Sequence, residues 1–159
     1  MTSAAPHDGN GPVPRIREAD RADLLEVFRI ERAVFSQPWP YDAFETFLDE
    51  PGFLVAAVDG EVAGYVVANT VPQAGRTLGH VKDLAVHPGR QGNGLGTLLL
   101  GQALGRLRAG DARAVKLEVR ETNARAIGLY RRHGFVHRRT VPRYYDDGED
   151  ALIMVHDFG

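Results

Sequence analysis

The stretch V-K-D-L-A-V-H-P-G-R-Q-G-N-G-L-G-T-L-L-L, Val81 to Leu100, decides how the chain is read. Val81 to Val86 has the apolar character of a strand, His87 to Asn93 is a glycine-rich loop, and the spacing predicts a helix opening near Gly94. The first turn of that helix is almost bare of side chains. A helix N-terminus carries unpaired N–H groups and the positive end of the peptide dipoles, so a bare loop in front of one suits a ligand with phosphates, a pyrophosphate above all.

Spacing separates the families of glycine loop. A Walker loop requires G-x-x-x-x-G-K-[ST], and no lysine precedes Thr97 to reach a terminal phosphate. A dinucleotide fingerprint requires G-x-G-x-x-G, whereas Gly92, Gly94 and Gly96 run as G-x-G-x-G. What remains is Q-x-x-G-x-G over Gln91 to Gly96 behind an apolar strand, and this resembles the acetyl-CoA loop of the GNAT superfamily of N-acetyltransferases. Taken alone, the stretch also reads as a turn that lets a helix pack closely on a sheet.

The chain has 159 residues, enough for one sizeable core and too few for two domains. With 43% hydrophobic and 25% charged residues it has the composition of a soluble globular protein. It contains neither a run of about 18 apolar residues nor a basic-then-apolar leader, so a cytoplasmic protein without a membrane span is expected. The lack of cysteine excludes disulfides, thiolate metal sites and a cysteine nucleophile. Acyl transfer would then be direct, and no metal is expected. A net charge of −2 gives no global pull toward nucleic acid, and direct contact with it is not expected.

Met1 to Pro14, rich in Ala, Gly, Pro and Ser, reads as a loose tail, leaving one domain over residues 15–159. Arg15 to Glu18 is a candidate first strand. Asp20 offers an N-cap to a helix reaching about Phe35, with Leu24, Val27, Phe28 and Val34 on one stripe. Glu31 falls on the same stripe, and a carboxylate there needs a partner: it is either a paired structural acid or a group behind the site. Phe35 to Pro40 is a stiff loop in which prolines flank Trp39; it suits a pocket wall, or by residue type a plug at a helix junction. A short helix is predicted from about Tyr41 to Glu50.

Phe53 to Val58 and Val62 to Thr70 form a hairpin over Asp59-Gly60, Val71 to Arg76 reads as a polar loop, and Leu78 to Val86 leads into the glycine loop. The helix from Gly94 runs to about Ala109, with Leu95, Leu98, Leu99, Ala103, Leu104 and Leu107 toward a core. Ala114 to Val119 is a strand. Asn123 to His133 is a helix capped by Thr122 or Asn123 and ended by Gly134, and Phe135 to Val141 with Leu152 to His156 makes a closing hairpin. The pattern is a mixed α/β (α+β) sheet.

Two further segments carry the likeness: L-E-V-R-E-T-N-A-R-A-I-G-L-Y-R-R-H-G-F, Leu117 to Phe135, and R-Y-Y-D-D-G-E-D-A, Arg143 to Ala151. With the glycine loop they resemble the protein N-terminal acetyltransferases of GNAT type, including the ribosomal-protein alanine acetyltransferases and their archaeal relatives, over roughly Ile16 to Val155. The resemblance implies the GNAT fold, a twisted mixed sheet flanked by helices whose two central parallel strands splay apart, with acetyl-CoA in the gap. It implies that Leu84, Ala85 and Val86 hold the pantetheine arm through main-chain groups. Gln91, Gly92, Asn93, Gly94, Leu95, Gly96 and Thr97 would cradle the pyrophosphate, and Asn123 would contact the cofactor while capping its helix.

The same resemblance implies Glu118 as general base and Tyr130 as general acid, with His80 helping to handle the amine proton. Tyr144 and Tyr145 match a pair that grips the acceptor peptide, and Gln37 and Trp39 fall at the acceptor side. Several relatives have glutamate where this chain has Gln37, while Pro38-Trp39 is closer to the bacterial enzymes, which leaves the first acetylated residue open. Read without the family, Glu118 is the outward residue of an alternating strand, Tyr130 a half-buried helix aromatic, His80 a structural histidine and the tyrosine pair hairpin packing. The basic run Arg131, Arg132, His133, His137, Arg138, Arg139 and Arg143 reads as a solvated face.

The chemistry is consistent with a protein N-terminus as acceptor. An α-amine has a pKa of about 8 and a lysine amine about 10.4, so near neutrality far more of the former is a free nucleophile. A tyrosine stays protonated beside a leaving thiolate, and backbone N–H groups near Val86 can polarise the thioester carbonyl. The expected reaction is transfer of acetyl to the α-amine of a ribosomal protein or nascent chain, which makes a ribosome-associated partner an expectation too. Acetylation of a small-molecule amine and a non-catalytic CoA-binding module are the competing readings.

Overall fold

The computed structural model describes residues 13–159. The tail expected over Met1 to Pro14 therefore lies, apart from Val13 and Pro14, outside the described residues. Seven strands form one sheet: β1 (Arg15–Glu18), β2 (Leu54–Val58), β3 (Glu61–Gln73), β4 (Arg76–Val86), β5 (Ala114–Arg120), β6 (Val136–Val141) and β7 (Ala151–Asp157). The helices are α1 (Leu24–Val34), α2 (Tyr41–Glu45), α3 (Leu95–Ala109) and α4 (Ala124–Arg132). In space the strands run β1-β2-β3-β4-β5-β7-β6, so the closing hairpin inserts β7 between β5 and the edge strand β6. Every neighbouring pair is antiparallel except β4 and β5.

Two apolar layers hold this sheet. Leu54, Ala56, Val66, Ala68, Val115 and Leu117 pack under Leu95, Leu99, Leu100 and Ala103 of α3 and Ile127 of α4. On the opposite face Val55, Tyr65, Val67 and Ala85 pack under Leu24, Val27 and Ile30 of α1 and Phe44 of α2. Because β2 and β3 bury both faces, their sequences are nearly continuous apolar runs, with alternate side chains going to opposite layers. Leu98, expected on the core stripe of α3, is 43% exposed, and Leu100 is buried instead.

Three local expectations are corrected. Val71 to Arg76 is not a loop: β3 and β4 pair out to Gln73 and Arg76 around Ala74-Gly75, both with positive φ. That distal ladder projects beyond the core and needs no apolar alternation, so its sequence reads as polar. The helix predicted to Glu50 ends at Glu45, after which i to i+3 bonds such as Phe47 N–H to Phe44 O and Glu50 N–H to Phe47 O tighten the chain. Pro51 disfavours a helical Glu50, and Gly52 lies flat on β3, where an added Cβ would stand 2.4 Å from the Ala68 carbonyl oxygen. Asp20 caps a short 3-10 turn (Arg21–Asp23) that leads into α1 rather than α1 itself.

What positions the site is a failure of pairing. β4 and β5 match only at Leu78 with Ala114, Gly79 with Val115 and His80 with Lys116. Two residues on, the β3–β4 ladder shifts so that Val67 opposes Asp83 but Ala68 opposes Val81, leaving Lys82 as a bulge. A bulge bends its strand and raises the local twist. From this point β4 leans toward β3, and Leu117 to Arg120 of β5 pair only with β7. The opening between the two parallel strands is the splay expected from the sequence.

Candidate active site

The first cavity at the opening measures about 370 Å³. Leu84, Ala85 and Val86 border it from β4, and Gln91, Gly92, Gly94, Leu95, Gly96 and Thr97 from the loop and the start of α3. Gly92 and Gly94 have φ of +88° and +80°, a conformation that costs a side-chain-bearing residue but not glycine. No side chain caps α3, so its first N–H groups face the cavity end unclaimed by the chain's own caps. Gln91 braces the loop: its amide donates to the Val86 carbonyl at 3.1 Å, and its oxygen accepts from Arg125 at 3.0 Å. These residues fit a diphosphate, since they offer backbone donors, a guanidinium and no carboxylate. Asn93 lies outside the lining, its side-chain amide donating to the Arg90 carbonyl at 3.3 Å.

A second cavity, about 280 Å³, is bordered by Gln37, Trp39, Glu118, Arg120, Tyr145, the buried acid Glu31 and the half-buried acid Asp83. Tyr130 and Asn123 line both cavities. Tyr130, on the buried face of α4, is 8% exposed and packs edge-on to Phe135 at 5.8 Å. Burial, reinforced by the nearby Asp83 and Tyr145, pushes its phenol well above the usual tyrosine range, so the hydroxyl stays protonated. Asn123 Oδ1 accepts from the Ala126 N–H at 3.2 Å, which makes it the cap of α4 as well as a lining residue.

His80 and Glu118 meet where the parallel strands part. His80 is the last residue of β4 in register with β5, and its Nε2 donates to Glu118 Oε1 at 2.7 Å. Lys116 Nζ stands 3.6 Å from Glu118 Oε2, and Lys82 Nζ is 3.4 Å from His80 Nδ1. Burial alone would raise the Glu118 carboxyl, but the hydrogen bond and charge of His80, with Lys116 beside it, hold it below its ordinary value. Glu118 is a carboxylate at neutral pH. His80 borders neither of these cavities itself and reaches the second through Glu118.

The wall of the second cavity is held together by a residue the sequence did not single out. Arg120 donates to Asp147 at 2.9 Å and Glu149 at 2.9 Å in the β6–β7 loop and to Gln37 Oε1 at 3.1 Å in the α1–α2 loop. Its guanidinium also stacks 4.1 Å above the Tyr145 ring. The available signal was its place two residues after Glu118, on the same face of β5. Tyr145, half-buried, lines the cavity, and burial pushes its phenol up to about 12. Tyr144 is 48% exposed, stands edge-on to Tyr145 at 5.0 Å and lies outside the lining. Trp39 packs on Phe44 at 5.2 Å and Phe47 at 5.7 Å, so it is a pocket wall and a junction plug at once. Arg132, exposed as expected for the solvated basic run, also borders the first cavity.

The comparisons with known proteins agree with this geometry. Residues 22–135 match the acetyltransferase (GNAT) family. An N-alpha-acetyltransferase of Sulfurisphaera tokodaii is 36% identical over 151 residues, covering 88% of this chain and 90% of the relative. A putative [ribosomal protein bS18]-alanine N-acetyltransferase of Bacillus subtilis is 35% identical over 143 residues, covering 87% and 92%. Ard1 from Thermoplasma volcanium superposes with a TM-score of 0.85 at 29% identity, covering 91% of this chain and 97% of that one. With a family match over most of its length and relatives of this similarity, the chain belongs to the acetyltransferase (GNAT) family.

Proposed function

We propose that the domain over residues 15–159 transfers acetyl from acetyl-CoA to the α-amine of a protein N-terminus, a ribosomal protein or a nascent chain in the cytoplasm. The observation that carries this reading is the position of Tyr130 between the two cavities, with the Glu118 carboxylate on the acceptor side. The names of relatives that act on protein N-termini support it. So does the closed clasp of Arg120, Gln37 and Tyr145 beside the opening, a wall suited to an extended peptide.

When bound, acetyl-CoA supplies an activated acyl group and a thiolate leaving group. The chain's residues do the rest. Backbone N–H groups of the Gln91 to Thr97 loop hold the diphosphate, and the unpaired edge of β4 at Leu84 to Val86 orients the thioester arm. The free amine forms the new carbon–nitrogen bond as the carbon–sulfur bond breaks. The Glu118–His80 pair takes up the amine proton, directly or through a water, and Tyr130 gives its proton to the departing sulfur. No metal is called for.

The test is a panel of peptides differing only in residue one, together with free small amines, incubated with the protein and acetyl-CoA. Mass spectrometry should place the acetyl group on the peptide α-amine. Preferential acetylation of the free amines would replace the acceptor assigned here, and CoA binding with no thiol released by any acceptor would mark a non-catalytic module.

A further inference from the structure

Asp83, like Glu31, is an acid of the second cavity that this mechanism leaves idle. It occupies the strand position just before Leu84, and its cross-strand partner Val67 directs it to the α1 face of the sheet. One carboxylate oxygen, Oδ1, accepts from the Leu84 N–H at 3.0 Å. The other, Oδ2, is shut off from solvent and accepts from no N–H or O–H donor among the described residues. Glu31 borders the same cavity and is the side chain closest in effect on the Asp83 carboxyl, through hydrogen bonding and charge.

Glu31 is itself 2% exposed and bound on both oxygens: Oε2 accepts from the Trp39 N–H at 2.9 Å, and Oε1 accepts from the Tyr65 hydroxyl. Two carboxylates facing each other in an apolar layer cannot both be charged without a cation between them. The titratable groups that act on Asp83 are Glu31 from α1, Tyr65 from β3 and Tyr130 from α4, none of them cationic, and Glu118 and Arg120 of β5 border the same cavity. The neighbouring Lys82 directs its ammonium to His80 and the Phe47 ring.

We propose that Glu31 and Asp83 share one proton and form a strut that fixes the Trp39 wall of the acceptor cavity at a set height over the thioester-holding strand. The shared proton satisfies Asp83 Oδ2, the only carboxylate oxygen of the pair otherwise bare. Through it the α1–α2 loop is tied at Trp39 N–H and β4 at Leu84 N–H, one on the acceptor side and one on the donor side of the opening. Burial and the charge of Glu31 raise Asp83 well above the ordinary carboxylate range, in keeping with a retained proton. Because the acid's folded value is raised, the strut is intact below that value and is lost as pH rises through it, when two like charges push the loop off the strand. Asp83 and Glu31 are thus positioning residues, and their effect on acceptor binding rests on the transferase reading above.

Trp39 is the only tryptophan in the chain, so its emission reports the strut without any activity being measured. Infrared spectroscopy at about pH 7 should show the carbonyl stretch of a protonated carboxyl that disappears in Asp83→Asn; a wild-type spectrum without it overturns the shared proton. Asp83→Asn, which keeps an N–H donor toward Glu31, should leave Trp39 emission and the affinity for a CoA–peptide conjugate within about twofold of wild type. Asp83→Ala should shift the emission to the red and weaken the conjugate about tenfold, with affinity for CoA alone unchanged. The conjugate carries an amide in place of the titrating amine, so only the protein's own pH dependence is read. If Asp83→Ala, still cooperatively folded by circular dichroism, keeps wild-type emission and conjugate affinity, there is no strut. If the infrared band and emission behave as stated but no peptide is ever acetylated, the acceptor assignment fails and the strut stands.

Discussion

His80 and Glu118 lie 38 residues apart in sequence, yet the imidazole Nε2 meets the carboxylate at 2.7 Å where β4 and β5 cease to pair. The parallel register puts His80 opposite Lys116, and the two-residue period of a strand then brings Glu118 to the same face one step further on. The pair is therefore set by the last rung of the parallel ladder, and the bulge at Lys82 opens the sheet immediately after it.

Removing the pair should slow chemistry more than binding. Glu118→Gln keeps the shape but not the charge, and kcat is expected to fall about 100-fold with the Kd for CoA unchanged, as for loss of a general base. His80→Ala should cost roughly tenfold or more, because it removes the hydrogen bond that orients the Glu118 carboxylate. Steady-state kinetics with titration calorimetry of CoA separates the two effects.

The pH profile follows from the sign of the Glu118 shift. Its folded value is lowered, so the carboxylate persists through neutrality and is lost only as pH falls through a value below the ordinary glutamate range. A limb of kcat/KM that rises toward about pH 8 is then expected from the acceptor's own α-amine. Two peptides with N-terminal amines of different pKa should shift that limb in parallel. A limb that stays fixed for both would assign it to the enzyme.

Tyr130→Phe deletes one hydroxyl from a buried ring that otherwise packs against Phe135. CoA affinity should change by less than about twofold, while kcat drops by about 100-fold. Since the wild-type phenol is raised well beyond the usual range, no alkaline limb from Tyr130 is expected below about pH 10. Full activity in the variant would remove it from the proton path.

Arg120 joins three segments, so its loss should loosen the acceptor wall as a unit. Arg120→Met retains bulk but releases Gln37, Asp147 and Glu149 and abolishes the stack on Tyr145. KM for peptide should rise about tenfold or more, with KM for acetyl-CoA near wild type. Arg120→Lys should recover only part of this, because an ammonium cannot reach all of these partners in the planar fork of a guanidinium.

Far from the site, Asp23 anchors the entry to α1. It accepts from Arg17 at 2.7 and 2.9 Å and from the Asp20 N–H at 2.8 Å. Asp23→Ala leaves those donors without their partner and should cost about 1–3 kcal/mol in urea denaturation near neutral pH. The Arg17 hydrogen bond lowers the folded pKa of Asp23, so its stabilisation is present above the ordinary aspartate range and is lost as pH falls through the folded value. The difference between wild type and variant should accordingly shrink as pH falls below the ordinary aspartate range.

The sequence by itself determined the order of the elements and the glycine loop before α3, because those properties are local. Positive φ at Gly92 and Gly94 demands glycine, apolar periodicity marks α3, and Asn123 caps the helix that follows it. It also exposed Glu31 as an acid out of place on an apolar stripe. What it did not contain was the partner: Asp83 and Tyr65 reach Glu31 only because β3, β4 and α1 stack in one layer. Likewise the length of β3 and β4, the clasp of Arg120 and the parting of β4 from β5 depend on register and on a single bulged residue. Contacts between residues far apart in the chain leave no local pattern, and the tertiary structure alone decided them.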